Sequence, residues 1–221
     1  MTTSLSVLVL GASGGCGQWV TRLAREAGHR VRALVRPGTP FDAPEGVDVR
    51  VGSALDVEDL AAAVEEQGVV ISCIGPQRAN PWNPWSPLRR PLGVAERSVR
   101  AILDAMGSSG HRRLVAISAA GVGGSIARTT PAMRWLIAHS TIGEMYDDLN
   151  RMEEVLRASG EDWVAVRPVT LVNAGRPSGR ARVLRRYRAL SLVSRADVAA
   201  WLLAVASEAE PEDRTPVIGW W

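Results

Sequence analysis

Residues 5–36 read LSVLVLGASGGCGQWVTRLAREAGHRVRALVR, and the order of residue types in this stretch decides the fold. An apolar run, Leu5 to Leu10, delivers the chain to Gly11, Gly14 and Gly17. A helix-compatible segment follows, then a second apolar run from Val31 to Val35 that ends at Arg36. The three glycines have separate tasks. Gly11 permits a tight turn through backbone conformations closed to residues with a side chain. Gly14 lets the backbone approach a pyrophosphate, and Gly17 lets the helix pack closely on the strand. The helix so opened directs unpaired N–H groups and its positive dipole end at the phosphates. Glycine triplets also occur in ordinary turns, but here strand, turn, helix and second strand stand where a dinucleotide site requires them.

The end of the second strand selects the nucleotide. An acidic residue there suits the ribose 2′-hydroxyl of NAD, and an arginine suits the 2′-phosphate of NADP. The chain has Arg36, with Arg32 one face away and Thr39 just beyond, and the expected cofactor is NADP(H). The plain alternative for Arg36 is a solvated strand-end charge.

A length of 221 residues suits one α/β domain with a full core and is too short for two large ones. A hydrophobic share of 46% with 22% charged residues is that of a soluble globular chain rather than a disordered one. No apolar stretch reaches about 18 residues, so no membrane span is expected, and MTTSLSVLVLG lacks the basic start of a signal peptide. Cys16 and Cys73, one at the turn and one in an apolar strand, make a disulfide framework unlikely and fit a reducing cytoplasm. All 26 basic residues are arginine, which excludes any step through a lysine amine. The net charge of +3, with arginines interspersed among acids, argues against a nucleic-acid partner. The exception, GRPSGRARVLRRYR at 175–188, reads as a solvated loop and edge strand or as an anion-attracting rim. Three scattered histidines and two distant cysteines lack metal-ligand spacing, so no metal is expected.

Beyond residue 36 the pattern alternates. Strands are expected at 47–51, 69–74, 113–118, 162–166 and 216–218, and helices at 56–67, 92–106, 145–159 and 195–207. This alternation predicts an α/β fold, a Rossmann-type doubly wound parallel sheet forming a single domain over 1–221. Its substrate-side elements fall at 80–91, 123–146 and 170–192, the last a small C-terminal substrate-side region. Ligands on such sheets bind beyond the carboxyl ends of the strands.

The chain resembles the atypical short-chain dehydrogenase/reductases of the NAD(P)H-binding type, which include NmrA-like proteins and biliverdin-IXβ and flavin reductases. The matching pieces are GASGGCG at 11–17, ALVRP at 33–37, VISCIG at 70–75 and RLVAISAAGV at 113–122. EEVLRASGEDWVAVRP at 153–168 and VSRADVAAWLL at 193–203 complete the order. The resemblance implies that Gly11, Ser13, Gly14 and Gly17 hold the phosphates, with Cys16 and Gln18 supplying helix-end N–H groups. It places Gly75 and Pro76 along the nicotinamide ribose and Ser53 near the adenine, where relatives often carry an aspartate. Many relatives of the wider superfamily use a serine, a tyrosine and a lysine four residues after the tyrosine. Here Tyr146 is followed at that spacing by Asn150, so the full triad is excluded, as it also is in the flavin-reductase-like relatives.

Catalytic candidates remain. Ser118 ends a central strand at the carboxyl edge. Tyr146 lies in a region that caps the pocket in relatives, and reads either as a site residue or, more simply, as an amphipathic cap on the core. His139 lies near the same cap, as a proton donor or a surface residue; His29 and His111 read as structural. Trp82 and Trp85, on the proline-rich loop NPWNPWSPLRRP at 80–91, suit stacking on a planar substrate, or packing on a neighbouring helix or subunit. Trp220–Trp221 suggest docking on the body or on a partner, so a homodimer is one expectation. Three function classes follow: an NADPH-dependent reductase of a small or planar acceptor (quinone, flavin or enone), a redox-neutral isomerase, epimerase or cyclase, and a non-catalytic NADP(H) sensor. Hydride transfer needs no triad if proximity in a dry pocket does most of the work.

Overall fold

A computed structural model describes residues 4–107, 113–188 and 190–220; His111 and Trp221 lie outside the described residues. The glycine turn joins β1 (Ser6–Leu10) to α1 (Gly15–Glu26), and β2 (Arg30–Val35) returns beside β1. Next come β3 (Asp48–Val51), α2 (Val57–Val64), β4 (Val69–Ser72), α3 (Val94–Met106) and β5 (Arg113–Ile117). A 3-10 turn at Gly123–Arg128 leads into α4 (Pro131–Ala138) and α5 (Thr141–Ala158). The chain continues through β6 (Trp163–Pro168), β7 (Thr170–Val172), β8 (Ala181–Val183) and β9 (Leu192–Ser194), then α6 (Arg195–Ser207) and β10 (Val217–Trp220).

The main sheet has the order β3-β2-β1-β4-β5-β6-β10-β8, parallel except where β8 runs against β10. Its direction of winding reverses between β1 and β4, so a crevice opens at the carboxyl ends of those strands. β1 shows why the sheet is covered on both sides. Val7 and Val9 face a core with Val20 of α1 and Leu202 of α6. Leu8 and Leu10 face the opposite core, with Leu60 of α2, Ile102 of α3 and Leu156 of α5. Full burial of each such side chain contributes about 1.5–3 kcal/mol. A one-residue slip would exchange the two faces, so two well-filled cores fix the register.

Several expectations needed adjustment. The helix expected over 56–67 ends at Val64, because Glu66 takes a left-handed backbone, φ 62°. The helix expected from 145 starts at Thr141, where Ser140 Oγ accepts from the Ile142 N–H at 3.3 Å. α4, β7 and β9 were not anticipated, while β8 is the edge strand expected within 175–188; strands of three residues are too short to display a period. The stretch at 175–188 is loop and edge strand; within it Arg182 donates to the Gly179 and Ala181 carbonyls, and Arg176 reaches Glu26 at 3.6 Å.

Trp220 docks on the body of the molecule. Its Nε1 donates to Asp197 Oδ2 at 2.8 Å, and the Arg180 guanidinium lies 5.3 Å from its ring centre. Asp197, 2% exposed, also accepts from Ser178, Gly179 and Ser194, tying the 178–179 loop, α6 and β10 together.

Candidate dinucleotide-binding site

A cleft of about 640 Å³ opens at the crevice between β1 and β4. The turn contributes Gly11, Ser13, Gly14 and Gly15; the end of β2 contributes Leu34 to Arg36. Gly52 to Leu55 follow β3, and Cys73 to Gly75 with Gln77 follow β4. Arg89 to Pro91 and Val94 close the remaining wall.

The turn is built as its glycines require. Gly11 has φ 72°, and the Gly14 N–H donates to its carbonyl at 2.9 Å. A Cβ on Gly17 would fall 2.1 Å from the Gly11 carbonyl oxygen, so helix and turn meet closer than any side chain allows. α1 also differs from its neighbours at its start. Among the described residues, α2, α4, α5 and α6 are capped by Asp56, Thr130, Ser140 and Ser194. α3 is capped from outside by Asp148, which accepts from the Ala95 and Glu96 N–H groups at 3.1 and 3.0 Å. α1, with Gly14 as its cap, receives no side-chain acceptor. Its first-turn amides at Gly15, Cys16 and Gly17 have no intrahelical partner either, which leaves them for an anion.

Gln18 corrects one expectation. Its backbone N–H donates to the Gly14 carbonyl at 2.9 Å and its side-chain amide to the Ser13 carbonyl at 3.0 Å, so it braces the turn instead of offering an N–H. Cys16 offers only its amide, because burial pushes its thiol up to about 11 in spite of the nearby Arg195 charge. Arg36 is exposed, lines the cleft and is in no ion pair among the described residues. Arg32, by contrast, is spent on Asp48 at 2.7 Å. Ser53 lines the cleft; its N–H donates to Asp59 Oδ2 at 2.8 Å, and its hydroxyl accepts from the Leu55 N–H at 3.2 Å. Gly75 lines the cleft while Pro76 does not, its place on the wall taken by Gln77.

The catalytic candidates are not brought to the cleft. Ser118, 4% exposed, donates from Oγ to Glu153 Oε1 at 2.7 Å. Glu153 is fully buried and also takes Arg167 at 2.5 Å and Arg157 at 2.6 Å, so Ser118 belongs to a buried ionic cluster. Tyr146 donates its hydroxyl to the Ala120 carbonyl at 2.8 Å, with its ring pressed against Gly121. Burial first, then the nearby Tyr187, push its pKa up to about 12, against the lowering effect of Arg78, so it stays a neutral phenol. Asn150, four residues on, accepts from the Gly123 N–H at 2.7 Å. His139 caps the end of α4, stacked on Trp135 with ring centres 4.8 Å apart.

The tryptophan loop is likewise repositioned. The Ala79 N–H donates to the Pro87 carbonyl and the Arg89 N–H to the Gln77 carbonyl, so the segment folds back on itself. Trp82 and Trp85 sit at its tip, 91% and 57% exposed and outside the cleft. Trp85 Nε1 donates to the His139 carbonyl at 2.8 Å, a contact with the α4 end rather than with substrate space. The returning limb puts Arg89 and Arg90 on the cleft wall instead. These two were missed, although the pair of arginines beside Pro91 was visible within 80–91. With Arg36 they make the cleft wholly basic: among the described residues, no acidic side chain lines it. No three of the described His, Cys, Asp or Glu residues are grouped to hold a metal ion. No described helix is long and apolar enough to cross a membrane.

A family model described as NAD(P)H-binding matches residues 11–209. The chain is 41% identical over 73 residues to "Probable pinoresinol-lariciresinol reductase 3" of Arabidopsis thaliana, a match covering 31% of this chain and 24% of that relative. Among solved structures, an anaerobillin reductase from Escherichia coli O157:H7 superposes with a TM-score of 0.75 at 23% identity, covering 97% of this chain and 96% of that one. A short-chain dehydrogenase/reductase from Veillonella parvula in complex with NADP gives 0.74 at 18% identity, over 98% and 95%.

Proposed function

The chain belongs to the NAD(P)H-binding family, and from that premise we propose that it is an NADPH-dependent reductase delivering hydride to a small, planar acceptor of quinone, flavin or enone type. The observation that carries the reading is the pairing of two features in one cleft. The side-chain-free start of α1 offers amides to a diphosphate, and Arg36 stands at the end of β2 as a counter-charge for a 2′-phosphate. Reductases among the similar proteins support the same chemistry.

When bound, NADPH supplies the hydride; the acceptor takes it together with a proton from solvent and leaves reduced. The protein's own residues bind and orient. The turn Gly11–Gly14 fixes the diphosphate, Ser53 and Leu55 border the adenine side, and Gly75 with Gln77 borders the far ribose. No residue is assigned as proton donor, since Ser118, Tyr146 and His139 are held elsewhere, and proximity supplies most of the acceleration. That none of these three side chains lines the cleft favours a second reading, a non-catalytic NADP(H) sensor. A panel of quinone, flavin and enone acceptors decides between them. Oxidation of NADPH above the protein-free rate supports the reductase; tight NADPH binding with a blank panel supports the sensor.

A further inference from the structure

Gly15 is not required by the spacing of Gly11, Gly14 and Gly17, yet a side chain there would displace the arm of Arg195. A Cβ there would stand 2.7 Å from Cδ and 2.8 Å from Nε of Arg195. The arm of Arg195, the first residue of α6, therefore lies across the first turn of α1, on a residue that lines the cleft. Its charge is felt in that turn: burial raises the Cys16 thiol, and the Arg195 guanidinium opposes the rise. From the other side, Arg195 Nη1 donates to Asn173 Oδ1 at 2.7 Å, just beyond β7.

Like Arg36, Arg195 has no carboxylate partner among the described residues, and although it is not itself on the cleft wall it lies against Gly15, which is. Arg32, Arg113, Arg151 and Arg167 each have a carboxylate within 3 Å. Among the described residues, Arg195 is in no such pair. A guanidinium carries five donors in a planar fork matched to phosphate oxygens, and among the described residues this one donates to a neutral amide. α1 shows the same want of a partner, since its first-turn amides are the ones no side chain caps. Two unmatched positive groups meet at Gly15.

We propose that Arg195 binds the diphosphate bridge of the dinucleotide from the α6 side of the turn, with Asn173 as the residue that aims its guanidinium. The inference rests on a dinucleotide occupying the cleft. It divides recognition between two arginines: Arg36 reads the 2′-phosphate that only NADPH carries, and Arg195 reads the bridge that NADPH and NADH share. Gly15 is then the position that makes room for the second reader.

Fluorescence titration of the full chain with NADPH and with NADH tests this. Arg195→Gln leaves a polar amide on a shorter arm and removes the charge; it should weaken both cofactors alike, by about tenfold, the scale of one charge-assisted hydrogen bond. Asn173→Ala leaves Arg195 in place but unaimed, and should weaken both by about threefold; it decides the matter if the Arg195 variant does not fold. Unchanged affinity for both cofactors in Arg195→Gln overturns the proposal, as does a loss confined to NADPH, which would move Arg195 to the 2′-phosphate. A wild-type protein that binds neither cofactor overturns the dinucleotide reading itself, a result distinct from either.

Discussion

Ser118 Oγ lies 2.7 Å from Glu153 Oε1, and Glu153 has no contact with solvent. The bond joins the end of β5 to the middle of α5, inside a cluster that also holds Arg167 and Arg157. A buried carboxylate needs its acceptor sites filled, and this serine fills one of them. The hydroxyl at the carboxyl edge of the sheet is thus a structural donor to the interior.

Ser118→Ala should therefore act on stability. Removing one donor from a buried charged acceptor costs about 1–2 kcal/mol, a fall in Tm of about 2–8 °C for a chain of this size. NADPH oxidation with a saturating acceptor should change by less than about threefold. A rate loss of about 100-fold with unchanged melting would return Ser118 to catalysis.

Arg36→Ala should weaken NADPH by about 1.5–3 kcal/mol and leave NADH nearly untouched, because only NADPH offers the 2′-phosphate. Equal losses for both cofactors in a fluorescence titration would refute the assignment.

The glycines of the turn should separate binding from folding. Gly14→Val should fold, since a Cβ there meets only the Gly11 oxygen at 3.2 Å, and should lose nucleotide binding as the side chain fills the diphosphate's space. Gly17→Ala should lose stability as well, by about 1–3 kcal/mol, because its Cβ would overlap the Gly11 carbonyl at 2.1 Å. Calorimetry beside titration reads both. Comparable melting of the two variants would contradict the close approach of helix and turn.

Asp197 predicts a pH dependence. Burial opposes its charge, but hydrogen bonds from Ser194, Trp220 and Ser178 outweigh burial and hold the carboxyl below its ordinary range. A carboxyl that is more acidic folded than unfolded stabilises the protein above its unfolded pKa of about 3.9, and the stabilisation is lost as pH falls through the folded value. Asp197→Asn should melt lower than wild type at pH 7, by about 1–3 kcal/mol in stability, and the gap should shrink below about pH 4. A gap that is constant between pH 7 and pH 3 would show that the charge contributes nothing.

Trp82→Ala should change neither stability by more than about 0.5 kcal/mol nor kcat/KM for the acceptor, since the side chain is 91% exposed and outside the cleft. A loss of about tenfold or more in kcat/KM would mean that the loop tip closes over the substrate.

The cofactor half of the molecule was legible because its signals are local. Gly11, Gly14 and Gly17 each answer a backbone requirement that a neighbouring residue states, and β1 declares both cores by alternating Val7 and Val9 with Leu8 and Leu10. The inner half was not legible, because there the decisive facts are pairings across long separations. Nothing near Ser118 in the sequence announces Glu153, and nothing near Trp85 announces the carbonyl of His139. Arg195 stands in the matching motif at 193–203, but its place beside Gly15 depends on how α6 packs on α1. The tryptophans misled for a related reason: a proline-rich loop fixes its own shape without fixing which limb faces the cleft, and the limb with Arg89 and Arg90 does.

Asn150 carries a lesson about redesign. Its Oδ1 accepts from the Gly123 N–H at 2.7 Å, in the position where a lysine would complete a tyrosine–lysine pair. A lysine has three donors and no acceptor, so Asn150→Lys would strip the 123 amide of its partner and bring one donor to face another. Tyr146, bonded to the Ala120 carbonyl, would still face away from any new duty. One replacement therefore does not make a tyrosine–lysine pair here: Tyr146 holds the Ala120 carbonyl and Asn150 the Gly123 amide, and both loops would have to be rebuilt before either position could take on other work.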